Sequence, residues 1–211
     1  MSTADGEHLG LRERKKRATR ATLSWAAIRL TVERGFDNVR IEDIAEAAGV
    51  SPRTFNNYYS SKGEAIVARH LDRCLLMARE LRRRPADEPI WTAIRHAVLG
   101  QFVAGPEVVA DPVPADSRQW LAGVRLMVAT PALQGEFLRA GATAEAEIAA
   151  AVAERTGTDA DRDLYPRLVA AAVMAATNVA MTHRLRTDPP VEMETLLLDA
   201  LDQFAAGLPT P

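Results

Sequence analysis

The sequence predicts an all-α protein with a small helix-turn-helix head at the N-terminus and a larger helical body behind it. Residues 40–62 contain two short amphipathic helical patterns on either side of a glycine. Beyond Pro85, apolar residues recur at helical spacing between proline and glycine breaks, and no stretch alternates as a strand would. Residues 1–84 hold 17 of the 26 basic residues but 11 of the 28 acidic ones. A basic head and an acidic body are therefore expected, with the head attracted to a polyanion.

The first helix of the motif follows Arg40 and ends before Gly49. Its apolar residues lie three or four positions apart: Ile41, Ile44, Ala45 and Ala48. A glycine directly after the last of them adopts the left-handed conformation at little cost, which ends the helix. Val50 is then expected to fill the angle between the two helices. Arg40 cannot accept a capping hydrogen bond, although its side chain could reach a phosphate.

The second helix of the motif begins with a serine and a proline, Ser51 at the N-cap and Pro52 at the first helical position. Phe55 and Tyr59, four residues apart, are expected to face inward. The outer face then carries hydrogen-bond donors and no acidic residue, which suits phosphates and base edges in a major groove. The residues of this face are Arg53, Thr54, Asn56, Asn57 and Tyr58.

Two basic features flank the motif. Ser61 and Glu64 have the spacing of a capping box that places Lys62 at the start of the next helix, where a helix N-terminus and a lysine together attract phosphate. Before the motif, Arg17 belongs to a basic run over residues 12–20, followed by a helix that stops at Gly35. This run is either a solvated arm or a second DNA contact, on a phosphate or in the minor groove.

The segment from about Arg17 to Glu64 resembles the N-terminal domain of the TetR-like transcriptional repressors. The resemblance is carried by GF at residues 35–36, IEDIA from residue 41, AGVS from residue 48, TF at 54–55, the aromatic pair at 58–59 and SK at 61–62. It implies DNA contacts at Arg53, Thr54, Asn56, Asn57, Tyr58 and Lys62. Arg40 stands where the family usually has a capping threonine, and two asparagines replace the family's aromatic and basic residues at 56 and 57. The operator sequence therefore cannot be borrowed from a relative.

The expected domains are a disordered tail over residues 1–11, a DNA-binding domain over 12–62 and a ligand-binding and dimerisation domain over 63–211. A helix of about 20 residues from Gly63 links head to body, and the resemblance implies that its displacement by a ligand moves two heads apart. Five further helices are expected, near residues 88–104, 115–129, 132–156, 161–186 and 191–206.

The last two helices are candidates for a dimer interface. The helix ending at Arg186 is rich in alanine, which permits close helix approach, and the last helix is amphipathic with Leu196, Leu197 and Leu201. In TetR-like proteins the corresponding helices form the four-helix bundle of a homodimer, so Ala176 and Leu197 are expected at that interface. The alternative is that both helices belong to the core of a monomer.

The body more loosely resembles the subgroup whose C-terminal domain is named for acyl-CoA-like ligands, through RLMVATPALQGEFLRAG from residue 125 and YPRLVAAAV from residue 165. This implies an effector with a long apolar part and an anionic head, met by Arg125 or Arg184. Each candidate pocket residue could instead be an ordinary core or surface residue. The candidates are Trp91, Phe102, Trp120, Arg125, Met127, Met174, Asn178 and Met181.

Composition argues against other classes of protein. The four histidines fall at no metal-ligand spacing, and no phosphate-binding glycine loop or nucleophile elbow is present, so we expect no catalytic residue, metal or cofactor. One cysteine, no secretory signal and no uncharged apolar run of 18 residues favour a cytoplasmic protein. The expected function is a homodimeric, effector-released repressor on a palindromic operator. The alternative is an architectural or constitutive DNA-binding protein without an effector.

Overall fold

The structure is a computed structural model that describes residues 3–102, 123–125, 128–187, 189 and 191–210. Within these ranges the regular structure is helical and no strand is present, which confirms the all-α prediction. Residues 123–125 and 128–129 are also helical. The helices are α1 (Thr3–Arg34), a short 3-10 turn (Phe36–Asn38), α2 (Ile41–Ala47), α3 (Pro52–Asn56), α4 (Lys62–Arg83), α5 (Ile90–Leu99), α6 (Pro131–Thr156), α7 (Leu164–Arg186) and α8 (Met193–Ala205).

The chain forms two compact units, and each takes residues from two separate stretches of the sequence. The first unit comprises Met1–Arg69 and Ala110–Phe137, and the second comprises His70–Val109 and Leu138–Pro211. The boundary expected from the sequence instead lies after residue 62. The difference arises because Gly63 marks the start of a helix rather than the edge of a core: Ala65 and Ile66 of α4 and Leu133 of α6 are fully buried in the core of the first unit.

The N-terminal segment is helical where the sequence analysis expects a disordered tail. Helix α1 begins at Thr3, and no proline interrupts it before Arg34. A helix fixed by the buried residues Leu23, Ala27 and Leu30 can extend toward the N-terminus at low cost per residue, because propagation is much easier than nucleation.

In the first unit, α1 packs against α2 and α2 against α3. Ile44, Phe55 and Tyr59 are buried with the inner face of α1, while Val50 is partly buried against the same core. Ser24 adds a cross-link, because its hydroxyl donates to the Ala65 carbonyl at 2.6 Å. These contacts fix the position of the second motif helix, which at five residues is too short to be stable alone.

In the second unit, α7 packs against α8, and α5 also packs against α8. Leu197 and Leu201 of α8 are fully buried. The observed helices beyond Pro85 fall inside the predicted ranges, except that α6 begins one residue earlier, and most of the predicted helix at 115–129 lies outside the described residues.

Arg155 ties the end of α4 to the rest of the second unit. Its guanidinium donates to the carbonyl oxygens of Leu81 at 3.3 Å, Arg84 at 2.8 Å, Pro85 at 2.7 Å and Glu88 at 3.1 Å. Carbonyls at a helix C-terminus lack partners within the helix, so a cation here satisfies them and also interacts well with the helix dipole.

Among the helices of the described ranges, α7 alone is long and apolar enough to cross a membrane. A core helix of a soluble protein meets the same criterion, and this helix carries the basic residues His183, Arg184 and Arg186 in its last turn. Its hydropathy is therefore weak support for a membrane span.

Candidate nucleic-acid interface and effector pocket

The turn between α2 and α3 has the geometry that its sequence predicts. Gly49 has a φ of +68°, the left-handed conformation that a residue with a Cβ rarely adopts. The Val50 N–H donates to the Ala45 carbonyl at 2.9 Å and closes the end of α2. Ser51 caps α3, because its Oγ accepts from the Thr54 N–H at 3.1 Å. The helix-turn-helix prediction is confirmed in its local details.

Two aromatic residues orient α3 from its inner side. Phe55 and Tyr59 are 0% and 1% exposed, and their ring centroids are 5.8 Å apart. The Tyr59 hydroxyl donates to the Arg20 carbonyl of α1 at 2.9 Å. The Arg20 guanidinium also lies 5.0 Å from the centre of the Tyr59 ring. Arg20, part of the predicted basic arm, is therefore engaged in packing of the first unit.

The outer side of α3 presents three polar side chains to solvent. Arg53, Asn56 and Asn57 are exposed, and Tyr58 is half-buried. Thr54 is half-buried, and its hydroxyl lies 2.9 Å from the Ser51 hydroxyl, so part of its hydrogen-bonding capacity serves the cap. Of the five predicted outer residues, the exposed arginine and the two asparagines have the most freedom to meet a ligand.

Two further predicted contacts lie on exposed surface of the same unit. Arg40 precedes α2 with its side chain exposed, and its backbone N–H donates to Asp43 Oδ2 at 2.8 Å. The side chain makes no capping bond, as the sequence predicts. Arg17 is exposed on α1 next to three other exposed cations, Arg14, Lys15 and Lys16. The charge of this stretch of α1 is therefore available to an anionic partner.

Lys62 is held by the protein itself, which the sequence pattern does not predict. Its Nζ donates to the carbonyl oxygens of Phe36 at 2.6 Å and Val39 at 2.9 Å, and it lies 4.1 Å from the centre of the Phe36 ring. The side chain is half-buried. An ammonium has three N–H donors, so two of them stabilise the turn that precedes α2.

The N-terminus of α4 differs from the expected capping box. The Ser61 hydroxyl does accept from the Glu64 N–H at 2.9 Å, but the Glu64 carboxylate accepts from the N–H and the hydroxyl of Ser60, both at 2.7 Å. The Ser61 hydroxyl also donates to Glu136 Oε1 at 3.1 Å. Two carboxylates thus lie where the sequence analysis expects a phosphate to be attracted.

Helix α7 carries an exposed apolar face within the single chain. Leu164, Leu168 and Val179 are 70%, 56% and 59% exposed, and Tyr165 is 44% exposed. Their spacing places them along one side of the helix together with the exposed alanines 171 and 175. Ala176 and Leu197, which the sequence analysis expects at a dimer interface, are 0% exposed inside the chain. The prediction that these two residues lie at a dimer interface is therefore wrong, because their small and apolar side chains pack inside the core of the second unit.

The predicted effector-binding residues are scattered in their degree of burial. Trp91, Phe102, Met174 and Met181 are half-buried, whereas Arg125 is exposed. Asn178 is exposed on α7, so its amide needs no partner inside the chain. Trp120 and Met127 lie outside the residues whose side chains the structure describes. Arg184 holds the connection to α8, since its Nη1 donates to the Val191 carbonyl at 2.9 Å.

A small apolar cavity occurs in the second unit. Its empty volume is about 210 Å³, part of which is space open to solvent. None of the predicted effector residues lines it. Its lining residues are Met77, Leu81, Ile94, Ala97, Val98, Ile148 and Val173.

Helix α4, which contributes Met77 and Leu81 to this cavity, also carries two ionisable residues that are poorly solvated, His70 and Cys74. Burial, and secondly the charge of Arg73, lower the pKa of His70 to about 4. Burial raises the pKa of the Cys74 thiol to about 11, against a smaller opposite effect of Arg73. Arg73 itself lies 4.8 Å from the centre of the Phe102 ring. Both groups are therefore neutral near pH 7, and the thiol is unreactive.

Among the described residues, no three histidine, cysteine or acidic side chains are grouped so as to hold a metal ion. Two contacts of the first unit were not predicted from the sequence, those of Lys62 with the turn before α2 and of Glu136 with Ser61. Each joins residues far apart in the chain, and neither has a local sequence signal.

Comparison with known proteins gives concordant matches over both parts of the chain. Residues 25–68 match the family model described as bacterial regulatory proteins, tetR family, and residues 88–209 match the model described as the MftR C-terminal domain. The HTH-type transcriptional regulator TcmR of Streptomyces glaucescens is 35% identical over 98% of this chain and 91% of its own length. MftR of Mycobacterium tuberculosis, named for regulation of mycofactocin biosynthesis, is 29% identical over 92% of this chain and 93% of its own.

The fold also matches solved structures. Thermus thermophilus FadR, a TetR-family repressor solved in complex with lauroyl-CoA, superposes with a TM-score of 0.54 at 21% identity, covering 91% of this chain and 96% of its own.

Proposed function

This chain belongs to the TetR family of bacterial transcriptional regulators, and we propose that it acts as a homodimeric repressor that covers a palindromic operator until an effector releases it. As a DNA-binding regulator of transcription it is not an enzyme. The proposed site of action is the cytoplasm, where the bacterial chromosome lies. Residues 12–62 would supply the reading head, and residues 63–211 the effector-binding and dimerisation functions.

The observation that carries the operator proposal is the exposed polar side of α3. Arg53, Asn56 and Asn57 project from a helix whose other side is fixed by two buried aromatic residues. An arginine can pair with guanine and an asparagine with adenine in the major groove, each through two hydrogen bonds. Thr54, Tyr58, Arg40, Arg17 and Lys62 complete the proposed DNA contacts, mainly with the phosphate backbone.

The exposed apolar face of α7 supports the homodimer. A second copy would cover Leu168, Val179 and their neighbours by contributing the same face, as a two-fold axis requires, and two heads at fixed spacing match a palindrome. Light scattering should give about twice the chain mass of 23.0 kDa. Leu168→Glu should yield monomers that are folded, whereas a control of the same type at an exposed site off this face, Leu138→Glu, should stay dimeric. A folded wild-type monomer would refute the homodimer.

The proposed effector has a long apolar chain and an anionic head, as in an acyl-CoA. Support comes from the subgroup resemblance of the body and from the fold match to a repressor solved with lauroyl-CoA. Lauroyl-CoA should displace a pre-formed operator complex, and tenfold release requires about 1.4 kcal/mol of preference for the free conformation. Free CoA and lauric acid are the controls. Release by an unrelated aromatic or cationic compound, and by no acyl-CoA, would overturn the acyl-CoA assignment alone.

One observation favours the alternative of a constitutive or architectural DNA-binding protein. Among the residues that the structure describes, the apolar cavity of the second unit offers no polar side chain to orient a ligand, whereas ligand sites carry a few such groups. If no small molecule of any class displaces the operator, this alternative replaces the effector-released repressor.

A further inference from the structure

The first unit contains a stretch of chain that belongs, by sequence, to the C-terminal family match. Residues 128–137, here called the return segment, fall within residues 88–209 of that match, yet they lie in the same compact unit as α1 to α3. Leu133 of this segment is 0% exposed in the core that also holds Phe55 and Tyr59. The return segment is therefore part of the structure that positions the DNA-binding motif.

The return segment meets α4 at its first turn. A Cβ built on Gly63 would lie 3.1 Å from Glu136 Cγ and 3.3 Å from Leu133 Cδ2. The Ser61 hydroxyl donates to Glu136 Oε1 at 3.1 Å and is also the acceptor that caps α4. A close approach at a glycine and a hydrogen bond to the cap thus act on the same turn. That turn carries Lys62, whose ammonium holds the carbonyls of Phe36 and Val39 ahead of α2.

We propose that Glu136 is a positioning residue for operator binding, and that docking of the return segment on the first turn of α4 holds the motif in its DNA-competent arrangement. The inference rests on the proposed operator-binding function. In this proposal, a change in the body reaches the head by two routes. One is α4 itself, and the other is the contact of Glu136 with Ser61 and Gly63. Undocking would free the first turn of α4 and loosen the Lys62 bonds that fix the start of α2.

The charge of Glu136 allows the direction of the change in DNA affinity to distinguish a positioning role from a simple charge effect. Removal of a carboxylate beside a DNA-binding surface should by itself strengthen binding to DNA, because it reduces repulsion of phosphates. A positioning role predicts the opposite. Glu136→Ala should weaken operator binding about tenfold, the order expected for loss of a hydrogen bond to a charged group, whereas Glu145→Ala, which removes the same charge farther along α6, should not weaken it.

A reversible disulfide tests the docking of the return segment on α4 independently of the Glu136→Ala variant. The Cβ atoms of Gly63→Cys and Glu136→Cys would lie at most about 4.6 Å apart, one C–C bond beyond the 3.1 Å contact, which is compatible with a disulfide. The native Cys74 can remain, because it is buried and its pKa is raised to about 11. In the double-cysteine protein, oxidation should tighten operator binding about fivefold or more over the reduced form, and each single-cysteine variant should show no redox effect.

The operator for these titrations is the fragment selected by the wild-type protein, with random DNA of equal length as the comparison. A positioning role would be supported if Glu136→Ala lost affinity for the operator with little change in affinity for random DNA, and if it showed faster hydrogen exchange over residues 36–59. Equal or tighter operator binding by Glu136→Ala, or a double-cysteine protein indifferent to oxidation, would overturn the inference while wild-type binding stands. A wild-type protein that selects no DNA would instead overturn the proposed function, and this inference with it.

Discussion

Replacement of Lys62 by methionine tests the structural role of this residue most sharply. Methionine keeps much of the apolar stem and removes the ammonium that donates to the Phe36 and Val39 carbonyls at 2.6 and 2.9 Å. It also removes the cation that lies 4.1 Å from the centre of the Phe36 ring. The turn ahead of α2 would then keep the buried Val39 and the bond from Asn38 Nδ2 to the Arg34 carbonyl at 2.8 Å, but it would lose both bonds from a charged donor.

The expected cost follows from the partly buried setting of these bonds. A hydrogen bond from a charged donor contributes roughly 1.5–3 kcal/mol, and water can reach a half-buried lysine and replace part of that contribution. We therefore expect Lys62→Met to lower the free energy of unfolding of the first unit by about 2 kcal/mol. Denaturant titration of the full-length protein, read by hydrogen exchange over residues 36–59, measures this change.

The salt dependence of DNA binding separates this structural role from a phosphate contact. Two of the three ammonium protons are engaged inside the protein, and we expect the third to reach a DNA phosphate. Loss of one phosphate contact should reduce the slope of log K against log salt by about 0.9. Lys16→Met, which removes an exposed cation of α1, is the control for charge without internal bonds. An unfolding free energy within about 0.5 kcal/mol of wild type for Lys62→Met would refute the structural argument.

Three further predictions follow from the contacts of single side chains. Asn57→Ala should cost roughly 1–3 kcal/mol of operator binding, with little effect on binding to random DNA or on the free energy of unfolding, because this exposed side chain does not pack in the core. Equal losses of affinity for both DNAs in anisotropy titrations would contradict a base-reading role. Arg155→Met should destabilise the second unit by about 3 kcal/mol in urea, since four carbonyls lose a charged donor; an unchanged midpoint would contradict the clamp on α4. Because the folded pKa of His70, about 4, lies below its ordinary 6.5, stability present above pH 6.5 is lost as the pH falls toward 4. The loss should be about 2 kcal/mol at pH 5 relative to His70→Leu, and parallel pH profiles for the two proteins would show that His70 is not the cause.

The helix-turn-helix could be predicted from sequence because its determinants are local. Gly49 ends α2 with a positive φ, Ser51 caps α3 three residues ahead of its donor, and Phe55 and Tyr59 lie one turn apart. Each of these signals involves residues within about four positions, the range over which backbone geometry alone places side chains together.

The rest of the site depends on contacts between distant residues. Ser61 bonds to Glu136, 75 positions away, and Lys62 bonds to carbonyls 26 and 23 positions away. A composition of small and apolar residues predicted that α7 and α8 pack closely, but it could not distinguish a partner helix of the same chain from one of a second copy. In the structure, Ala176 and Leu197 are buried within the chain, while Leu168 and Val179 form the exposed face.

Selection of bound genomic fragments by the purified full-length protein, followed by determination of the bound mass, tests the central claim most directly. The account predicts that the enriched fragments share an inverted repeat, bound by two chains of 23.0 kDa each and at least about a thousandfold more tightly than random DNA. Asn57→Ala should lose most of that preference. Enrichment of no common sequence, or full affinity for the repeat by a single chain, would contradict the account.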